Sequence, residues 1–465
     1  MVAGALKLHA APPELSRAER IAFAVLTVAV ALTRWPAVSR SLWDWDEALF
    51  ALAVRDYDVA LHHPHPPGFP LFIAMARGVA SAFALDPFRA VQAVTVASSL
   101  LVFPAMFLLA REMRCRTPVA FAAGLLLAFL PNVWFFGGTA FSDVPSLVIV
   151  LCACALLLRG CRSDPSLIAG AVLLGIAAGV RPQNLLIGFV PAMLALTHRR
   201  RAAILGAAIG AAIVLGSYAA AAALSGGWDV YRATLAAHEH YIRMTDSFLS
   251  PLRPGLVQVA DDFFVRPFRA LPVNVVLSLL AAAALIRRRG ILAVAAFGPF
   301  LVFAWLFLDF HSASRFSIGY MPLFAILAAE GLPSRWRAVT LSAVVALLVA
   351  WTWPALRVAH TTLSPPVAAI EALARSAPPK ALLIDARLAA HADLLLTDRP
   401  RLVVQPAPPF VAAPGAILLR EGASTAPGAH TFARERGRLA GIVRPRYFEV
   451  SLVPDRRPAS APDKD

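Results

Sequence analysis

The sequence predicts an all-α polytopic membrane protein that carries a small soluble domain at its C-terminus. Of the 465 residues, 59% are hydrophobic and 15% are charged, and the mean hydropathy is +0.68. These values lie far outside the range of soluble domains. About eleven apolar stretches are long enough to cross a bilayer. Beyond residue 358 the chain becomes rich in proline and charged residues, which indicates a separate soluble segment.

The apolar stretches follow one another with short connections over most of the chain. A helix rises about 1.5 Å per residue, so about 20 apolar residues cross a hydrocarbon core of about 30 Å. The predicted spans cover residues 19–37, 88–110, 117–136, 143–159, 166–181, 183–197, 202–224, 270–286, 290–308, 316–332 and 338–356. The first stretch is as short as the apolar part of a signal peptide. The small residues that a cleavage site would need lie inside the apolar run and not after it, so we expect a retained helix.

The basic residues set the orientation of these spans. The chain has 43 Lys and Arg against 28 Asp and Glu, a net charge of +15. Alternate connections are basic: Lys7, Arg17 and Arg20; Arg111, Arg114 and Arg116; Arg159 and Arg162; Arg199 to Arg201; Arg287 to Arg289; Arg335 and Arg337. Positive connections stay in the cytoplasm, so we expect a cytoplasmic N-terminus in a bacterial inner or plasma membrane. Nucleic-acid binding is excluded because the charge forms no basic face interleaved with aromatics.

Two connections and the tail are too long to be turns, and this topology places all three outside the cytoplasm. The predicted membrane domain covers residues 1–358, with a first outer loop at 35–87 and a second outer loop at 225–269. Residues 359–455 are expected to form a soluble α/β or β-rich domain, since the short apolar runs ALLID, RLVVQ, AILLR and YFEVSLV are typical of strands. Residues 456–465 are expected to be disordered.

The first outer loop concentrates acidic residues and histidines in a chain that is otherwise poor in charge. Such side chains close to a membrane suit acid–base work or cation binding. Helical spacing places Asp46, Phe50, Ala53 and Tyr57 on one face. After the HPHPP segment, the run GFPLFIAMARGVASAFAL is expected to form a second amphipathic helix at the interface.

The order of these features resembles the C-type glycosyltransferases (GT-C fold), multi-spanning enzymes that use polyprenyl-phosphate sugars. The matching features are the acidic pair Asp46-Glu47, an amphipathic helix, HPPGF at 65–69 and a second amphipathic helix. By pattern the sequence is similar to the protein O-mannosyltransferases and the lipid A aminoarabinose transferases. The later segments FSDVPSLVIVLCACALLLRG, GIAAGVRPQNLLIGFVPAML and SRFSIGYMPLFAILAAEGL agree in order with the family.

The resemblance implies an inverting sugar transfer to an extracytoplasmic lipid, glycan or protein. Asp46 matches the catalytic aspartate and Glu47 follows it in the acidic pair, although both could instead be solvated residues that favour a helix N-terminus. Four residues on the outer side are candidates to hold the donor phosphate, since Arg suits phosphate oxygens: Arg55, His65, Arg181 and Arg315. For the three arginines, a purely structural role at a helix end or the interface is the alternative.

Two departures from the family leave the donor sugar open. His65 stands where the aminoarabinose transferases carry a Lys, and Leu49 stands where they carry an Arg. His63 and Tyr57 in the first outer loop, and His238 and His240 in the second, are candidates for acceptor contact. The HHPHP run lacks the helical spacing of zinc motifs, so no metal site is assigned and no cofactor is required. A role for a divalent cation stays open.

Two other functions explain part of the pattern. A transporter or flippase for a lipid-linked or anionic solute would explain the spans and the outer arginines, but not the polar residues gathered in one outer loop. A polymerase or ligase of lipid-linked glycans would depend on His238 and His240 more than on Asp46. The glycosyltransferase hypothesis accounts for more of the sequence than either.

Overall fold

A computed structural model of the protein describes residues 10–265, 271–287, 290–376, 378–405, 415–443 and 446–454. The predicted disordered tail at 456–465 lies outside the described residues, as do Lys7, Arg288 and Arg289 of the basic connections. The described part is mostly helical and ends in a small sheet. The predicted class, a helical membrane part with a sheet-containing C-terminal part, is therefore confirmed.

The helical part extends from Arg17 to Thr361. Its helices are α1 Arg17–Leu32, α2 Trp45–Arg55, α3 Pro70–Phe83, α4 Pro87–Ser99, α5 Val102–Glu112, α6 Thr117–Phe129, α7 Pro131–Phe136, α8 Asp143–Gly160, α9 Asp164–Val180, α10 Asn184–His198, α11 Arg200–Leu224, α12 Trp228–Thr245, α13 Leu256–Phe264, α14 Leu271–Ile286, α15 Ile291–Phe307, α16 Ala313–Phe316, α17 Met321–Gly331 and α18 Arg337–Thr361.

Several predicted spans are interrupted. Among the described residues, four helical segments are long and apolar enough to cross a membrane, and five shorter apolar helices accompany them. The span predicted at 88–110 is two helices, α4 and α5, and the one predicted at 117–136 is also divided in two. Helices α3 and α4 meet at a bend of 109°. The count of eleven spans stays a prediction.

The C-terminal part contains two helices, α19 Pro365–Arg375 and α20 Ala389–Leu395, and a five-stranded sheet. The strands are β1 Ala381–Asp385, β2 Leu402–Val404, β3 Ala416–Glu421, β4 His430–Ala433 and β5 Glu449–Pro454. Their order is β2-β1-β3-β5-β4. Strand β1 pairs in parallel with β2 and β3, whereas β5 is antiparallel to β3 and β4. All four apolar runs singled out in the sequence form strands, and helices with strands make this an α/β arrangement.

The C-terminal part packs directly on the first outer loop. Ser364, just before α19, donates its hydroxyl to the Leu42 carbonyl at 2.6 Å. The Trp43 and Phe448 rings lie 6.0 Å apart. Helix α18 ends at Thr361, so it continues past the predicted domain boundary at 358. The start of α2 is therefore in contact with the C-terminal part of the chain.

The buried histidine of this part predicts pH-dependent unfolding. His391 on α20 is fully buried, and neither ring nitrogen has a hydrogen-bond partner among the described residues. Burial lowers the pKa of His391 to about 3. An unfolded His has a pKa of about 6.5, so the unfolded chain binds a proton first and stability is lost as the pH falls from 6.5 towards 3. At pH 4.5 the loss should be about 2 to 3 kcal/mol.

Hydrogen exchange of residues 381–395 in the full chain, compared at pH 7 and pH 4.5 after correction for intrinsic rates, measures this effect. His391→Leu should remove most of the difference between the two pH values. An equal pH dependence in the wild type and the variant would contradict the assignment to His391.

Candidate active site

Asp46 lies in the first turn of α2. Asp44 caps this helix, with Oδ1 accepting a hydrogen bond from the Asp46 backbone N–H at 3.1 Å, which fixes where the helix begins. The Asp46 residue is only 8% exposed. Its Oδ2 accepts a hydrogen bond of 2.5 Å from the Arg315 guanidinium. Two residues separated by 269 positions therefore form one charged pair.

The turn between α2 and α3 brings His65 to the same carboxylate. Its Nε2 lies 3.8 Å from Asp46 Oδ2, too far for a hydrogen bond. Phe50, one turn after Asp46, packs against the His65 and Phe69 rings at 5.8 and 5.1 Å. Gly68 has φ +104°, and a Cβ there would lie 2.5 Å from the Tyr57 hydroxyl. The HPPGF motif thus needs its glycine to close this turn.

The environment of His65 favours a neutral imidazole. Burial lowers the pKa of His65, and this outweighs the opposing effects of the Asp46 carboxylate and the Pro66 carbonyl. Arg315 and Arg181 lower it further. The His65 ring therefore lies near one acidic and two basic side chains, and the lowered pKa favours its neutral form.

Arg315 lies in the short segment before α17 and is buried there. It is 5% exposed, and its guanidinium lies over the Phe141 and Phe316 rings at 4.5 and 4.8 Å. Asn132 on α7 anchors this segment by donating to the Ser314 carbonyl at 3.0 Å. Aromatic faces stabilise a cation without occupying its N–H groups. These contacts place the Arg315 guanidinium beside Asp46.

Arg181 lies near the same Phe316 ring as Arg315. Its guanidinium is 5.8 Å from that ring and 5.7 Å from the Phe69 ring. It forms a buried ion pair with Asp143 at the start of α8. Arg181 Nε and Asp143 Oδ2 are buried and have no hydrogen-bond partner among the described residues. The structure therefore groups Asp46, His65, Arg315 and Arg181 around two aromatic rings.

Glu47 is fully buried and points towards the backbone rather than towards Arg315. Its two oxygens accept three hydrogen bonds, from the N–H groups of Trp43 at 2.6 Å, Asp44 at 3.0 Å and Ala140 at 3.0 Å. Burial raises the pKa of Glu47 to about 7, and the three N–H groups oppose that rise. Through these hydrogen bonds, Glu47 connects the start of α2 to the segment after α7.

This network predicts a stability effect for Glu47→Ala. The substitution would leave three backbone N–H groups without an acceptor, at a cost of about 1 to 3 kcal/mol each. We expect a clear fall in the thermal unfolding temperature of the purified protein, followed by tryptophan fluorescence. Glu239→Ala, which changes an exposed acid on α12, should unfold like the wild type. A wild-type unfolding temperature for Glu47→Ala would contradict this account of the network.

Three residues predicted from the first outer loop lie apart from this group. Arg55 is exposed and donates to the Asp393 carbonyl of α20 at 3.1 Å. His63 lies near Asp56, Asp393 and Arg55, and burial lowers its pKa. Helix α2 ends at Arg55, so the predicted shared helical face does not extend to Tyr57.

The Tyr57 hydroxyl donates to the Gly68 carbonyl at 3.0 Å. Tyr57 therefore stabilises the HPPGF turn, and this hydrogen bond does not involve the Asp46 carboxylate. Tyr57 contacts Gly68 and Arg55 contacts Asp393. The spacing of residues along α2 does not predict either contact.

The second outer loop contributes one of its two histidines to the group. The His238 ring stacks on the His65 ring at 6.3 Å and on the Tyr241 ring at 6.2 Å. Burial lowers the pKa of His238 to about 4, and the neighbouring His65 adds to that effect. His240 is exposed on α12. Helix α12 therefore reaches the group through the contact between the His238 and His65 rings.

The sequence did not single out Asp143, Phe141, Phe316 and Asn132. Asp143 lies within the quoted FSDVP segment, and its acidic side chain at the start of an apolar helix was a signal that a buried cation lies nearby. Among the described residues, no group of three or more His, Cys, Asp or Glu side chains could hold a metal ion.

Comparison with solved structures identifies the architecture. The crystal structure of ArnT from Cupriavidus metallidurans in the apo state matches with a TM-score of 0.57. The match covers 93% of this chain and 98% of that chain, at 16% sequence identity. The chain has the C-type glycosyltransferase fold. The resemblance inferred from the ordered motifs is therefore confirmed at the level of fold.

Other solved structures with this fold match less closely. ArnT from the same organism bound to undecaprenyl phosphate matches with a TM-score of 0.48, over 93% of this chain and 98% of that chain, at 14% identity. The Archaeoglobus fulgidus oligosaccharyltransferase in the apo form gives a TM-score of 0.49, over 80% and 63% of the two chains, at 13% identity. No protein-family model matches the chain, and no curated protein matches it by sequence.

Proposed function

We propose that the protein is a membrane glycosyltransferase that moves a sugar from a polyprenyl-phosphate donor to an extracytoplasmic acceptor. The reaction would invert the anomeric centre, and Asp46 would act as its base. The C-terminal part and both outer loops would then lie on the extracytoplasmic side, with the N-terminus in the cytoplasm. The fold supports a C-type enzyme, and the site described above supports the chemistry.

The observation that carries the proposal is the hydrogen bond between Asp46 and Arg315, with Arg181 near the same Phe316 ring as Arg315. Displacing a lipid phosphate needs a base for the acceptor hydroxyl and cations for the leaving oxygens, close together. Here the carboxylate and one guanidinium are in contact, and a second guanidinium shares an aromatic ring with the first. Arg181 Nε has no described partner, so it has an N–H to offer a phosphate.

The reaction is then a single displacement. Asp46 takes the proton of the acceptor hydroxyl as the acceptor oxygen forms a bond to the anomeric carbon of the sugar. The bond between that carbon and the phosphate oxygen breaks, and polyprenyl phosphate leaves with the electron pair. Arg315 and Arg181 stabilise the added negative charge. Attack opposite the leaving phosphate gives inversion.

The bound phosphate would also release the base. In the structure Arg315 donates a hydrogen bond to Asp46 Oδ2, so that oxygen is engaged. A donor phosphate offers Arg315 stronger acceptors, so the guanidinium would turn to it and leave Asp46 Oδ2 open to the acceptor hydroxyl. Glu47 would serve as a positioning residue, since its oxygens hold the backbone at the start of α2.

Mass spectrometry of the outer glycoconjugates of the native cell, with and without this protein, tests the function as a whole. We expect one sugar residue to be missing from one class of lipid, glycan or protein when the protein is absent. Re-expression of the wild-type chain should restore that residue. An unchanged set of glycoconjugates, together with accumulation of an undelivered solute, would support transport instead.

A further inference from the structure

The backbone determines which nitrogen of His65 faces Asp46 with a lone pair. The Nδ1 atom of His65 lies 3.0 Å from the Pro66 carbonyl oxygen. A carbonyl only accepts hydrogen bonds, so Nδ1 carries the proton of the neutral ring and Nε2 keeps its lone pair. Nε2 is the atom that lies 3.8 Å from Asp46 Oδ2. On the basis of the proposed function, we infer that His65 takes from Asp46 the proton that the acceptor hydroxyl loses.

This role differs from the prediction that His65 is a cation for the donor phosphate. Burial lowers the pKa of His65, and the nearby Arg315 and Arg181 lower it further. The two arginines already supply positive charge for a phosphate, whereas a neutral imidazole adds a base beside Asp46. An imidazole ordinarily has a pKa of about 6.5 and an aspartate carboxyl about 3.9. The ring is therefore a suitable destination for a proton that the carboxylate has taken.

Aromatic side chains pack around the imidazole. The His65 ring is perpendicular to the Phe69 ring, with ring centres 4.8 Å apart, and lies 5.8 Å from the Phe50 ring. The His238 ring of the second outer loop stacks against it at 6.3 Å. The side chains of His65 and Asp46 are only 22% and 12% exposed, so a base inside the site shortens the path of the proton. The charged or titratable side chains near the ring are Asp46, Arg315, Arg181 and His238.

The position of Arg181 indicates where the proton goes next. Its guanidinium lies 5.7 Å from the Phe69 ring, which also contacts His65. A donor phosphate held by Arg181 would therefore lie close to the imidazole. The polyprenyl phosphate that is released is a phosphate monoester, whose second pKa of about 6 is close to that of an ordinary imidazole. His65 can thus pass the proton to the leaving phosphate.

Every proton and electron pair in this sequence has a place. Asp46 Oδ2 takes the hydroxyl proton as the acceptor oxygen bonds to the sugar. Its O–H bond then breaks as His65 Nε2 forms an N–H bond, and the electron pair stays on the carboxylate. The imidazolium gives the proton to an oxygen of polyprenyl phosphate, which leaves as a monoanion. Asp46 and His65 return to their starting forms without any further reactant.

The transfer between the two side chains needs only a small movement. Asp46 Oδ2 and His65 Nε2 are 3.8 Å apart, so they must approach by roughly 1 Å to form a hydrogen bond. Arg315 occupies the same oxygen in the structure. When the guanidinium turns to the donor phosphate, the carboxylate is released from that contact and can move towards the imidazole.

Two substitutions of His65 separate the proton acceptor from a phosphate cation. His65→Lys keeps a positive charge but is protonated at pH 7, so it cannot accept a proton. His65→Asn keeps an N–H for the Pro66 carbonyl and cannot accept a proton either. We expect both to slow the release of undecaprenyl phosphate by about 10²-fold, the lower end of general acid–base catalysis. His65→Asn should bind undecaprenyl phosphate like the wild type, as measured by native mass spectrometry.

The release assay uses the full-length protein in nanodiscs at saturating substrate. The donors are undecaprenyl phosphate carrying mannose, glucose, galactose or aminoarabinose, and the acceptor is the glycoconjugate that loses its sugar in cells without the protein. Added imidazole should restore release by His65→Ala severalfold and leave Asp46→Asn unchanged. His430→Asn, at an exposed histidine of β4, should release and bind like the wild type.

The tautomer of His65 can be measured without turnover. Solid-state ¹⁵N NMR of the histidine-labelled protein, with His65 assigned by its loss in His65→Asn, should show a neutral ring protonated at Nδ1 at pH 7. Undecaprenyl phosphate should raise the pKa of His65, because a neighbouring anion stabilises the imidazolium. A neutral ring protonated at Nε2 would present no lone pair to Asp46 and would overturn the inference whatever the enzyme transfers.

The outcomes distinguish this inference from the proposed function. A folded His65→Asn enzyme that releases undecaprenyl phosphate at the wild-type rate would overturn the inference and leave the function standing. Normal release by His65→Lys, together with about ten-fold weaker binding of undecaprenyl phosphate by His65→Asn, would assign His65 to the phosphate instead. A wild-type protein that releases no undecaprenyl phosphate from any of the four donors would overturn the function and the inference together.

Discussion

Asp46→Asn should reduce sugar transfer by about 10²- to 10⁴-fold, the contribution expected of a general base. The amide keeps the size of the side chain and can still accept the hydrogen bond from Arg315, so the packing around α2 should persist. It cannot take a proton from the acceptor hydroxyl. The rate of polyprenyl phosphate release by the purified enzyme, measured with donor and acceptor at saturation, checks this expectation.

The matched control is Asp56→Asn, which changes an exposed acid ten positions later in the same loop. It should leave the rate within about two-fold of the wild type, since exposed side chains away from the site contribute little. Both variants should unfold at the wild-type temperature. An Asp46→Asn enzyme that is folded and fully active would exclude Asp46 as the base.

Arg315→Lys and Arg181→Lys should each lower the affinity for undecaprenyl phosphate by about ten-fold. A lysine keeps the positive charge but loses the planar fork that contacts two phosphate oxygens, and a charge-assisted hydrogen bond contributes about 1.5 to 3 kcal/mol. The two variants share the Phe316 ring and one ligand, so the double variant should lose an amount that differs from the sum. Native mass spectrometry of lipid-bound protein measures these affinities.

Arg55 provides the control for this pair. The sequence placed it among the phosphate candidates, but in the structure its guanidinium contacts the Asp393 carbonyl of the C-terminal part. Arg55→Ala should therefore leave undecaprenyl phosphate affinity unchanged. A loss as large as that of Arg315→Lys would mean that the donor phosphate binds elsewhere than beside Asp46.

The sequence predicted those features that depend on local pattern. Apolar length and the alternation of basic clusters predicted a helical membrane part, and four short apolar runs predicted strands of the C-terminal sheet. The spacing of Asp44 and Glu47 is that of a helix-capping box, which explains why the acidic pair marks the start of α2. Asp46 and Phe50 lie one turn apart, and both reach the HPPGF turn.

Features that depend on distant contacts could not be predicted. Nothing local to Arg181 shows that Asp143 pairs with it, or that it lies near the same Phe316 ring as Arg315. The hydrogen bond that Arg55 makes depends on α20, whose residues lie more than 300 positions later in the chain. The break between α4 and α5 was not predicted either, because Ser98 and Ser99 lie in an otherwise apolar run and mean hydropathy alone does not register a bend.

The most direct test of the account uses the purified protein in proteoliposomes with undecaprenyl phosphate sugars on the side of the C-terminal part. We predict release of undecaprenyl phosphate in equal amount to the sugar gained by an acceptor, with inverted anomeric configuration. Release should require Asp46 and both Arg181 and Arg315. Movement of the intact lipid-linked sugar across the bilayer without cleavage, unaffected by Asp46→Asn, would contradict the account.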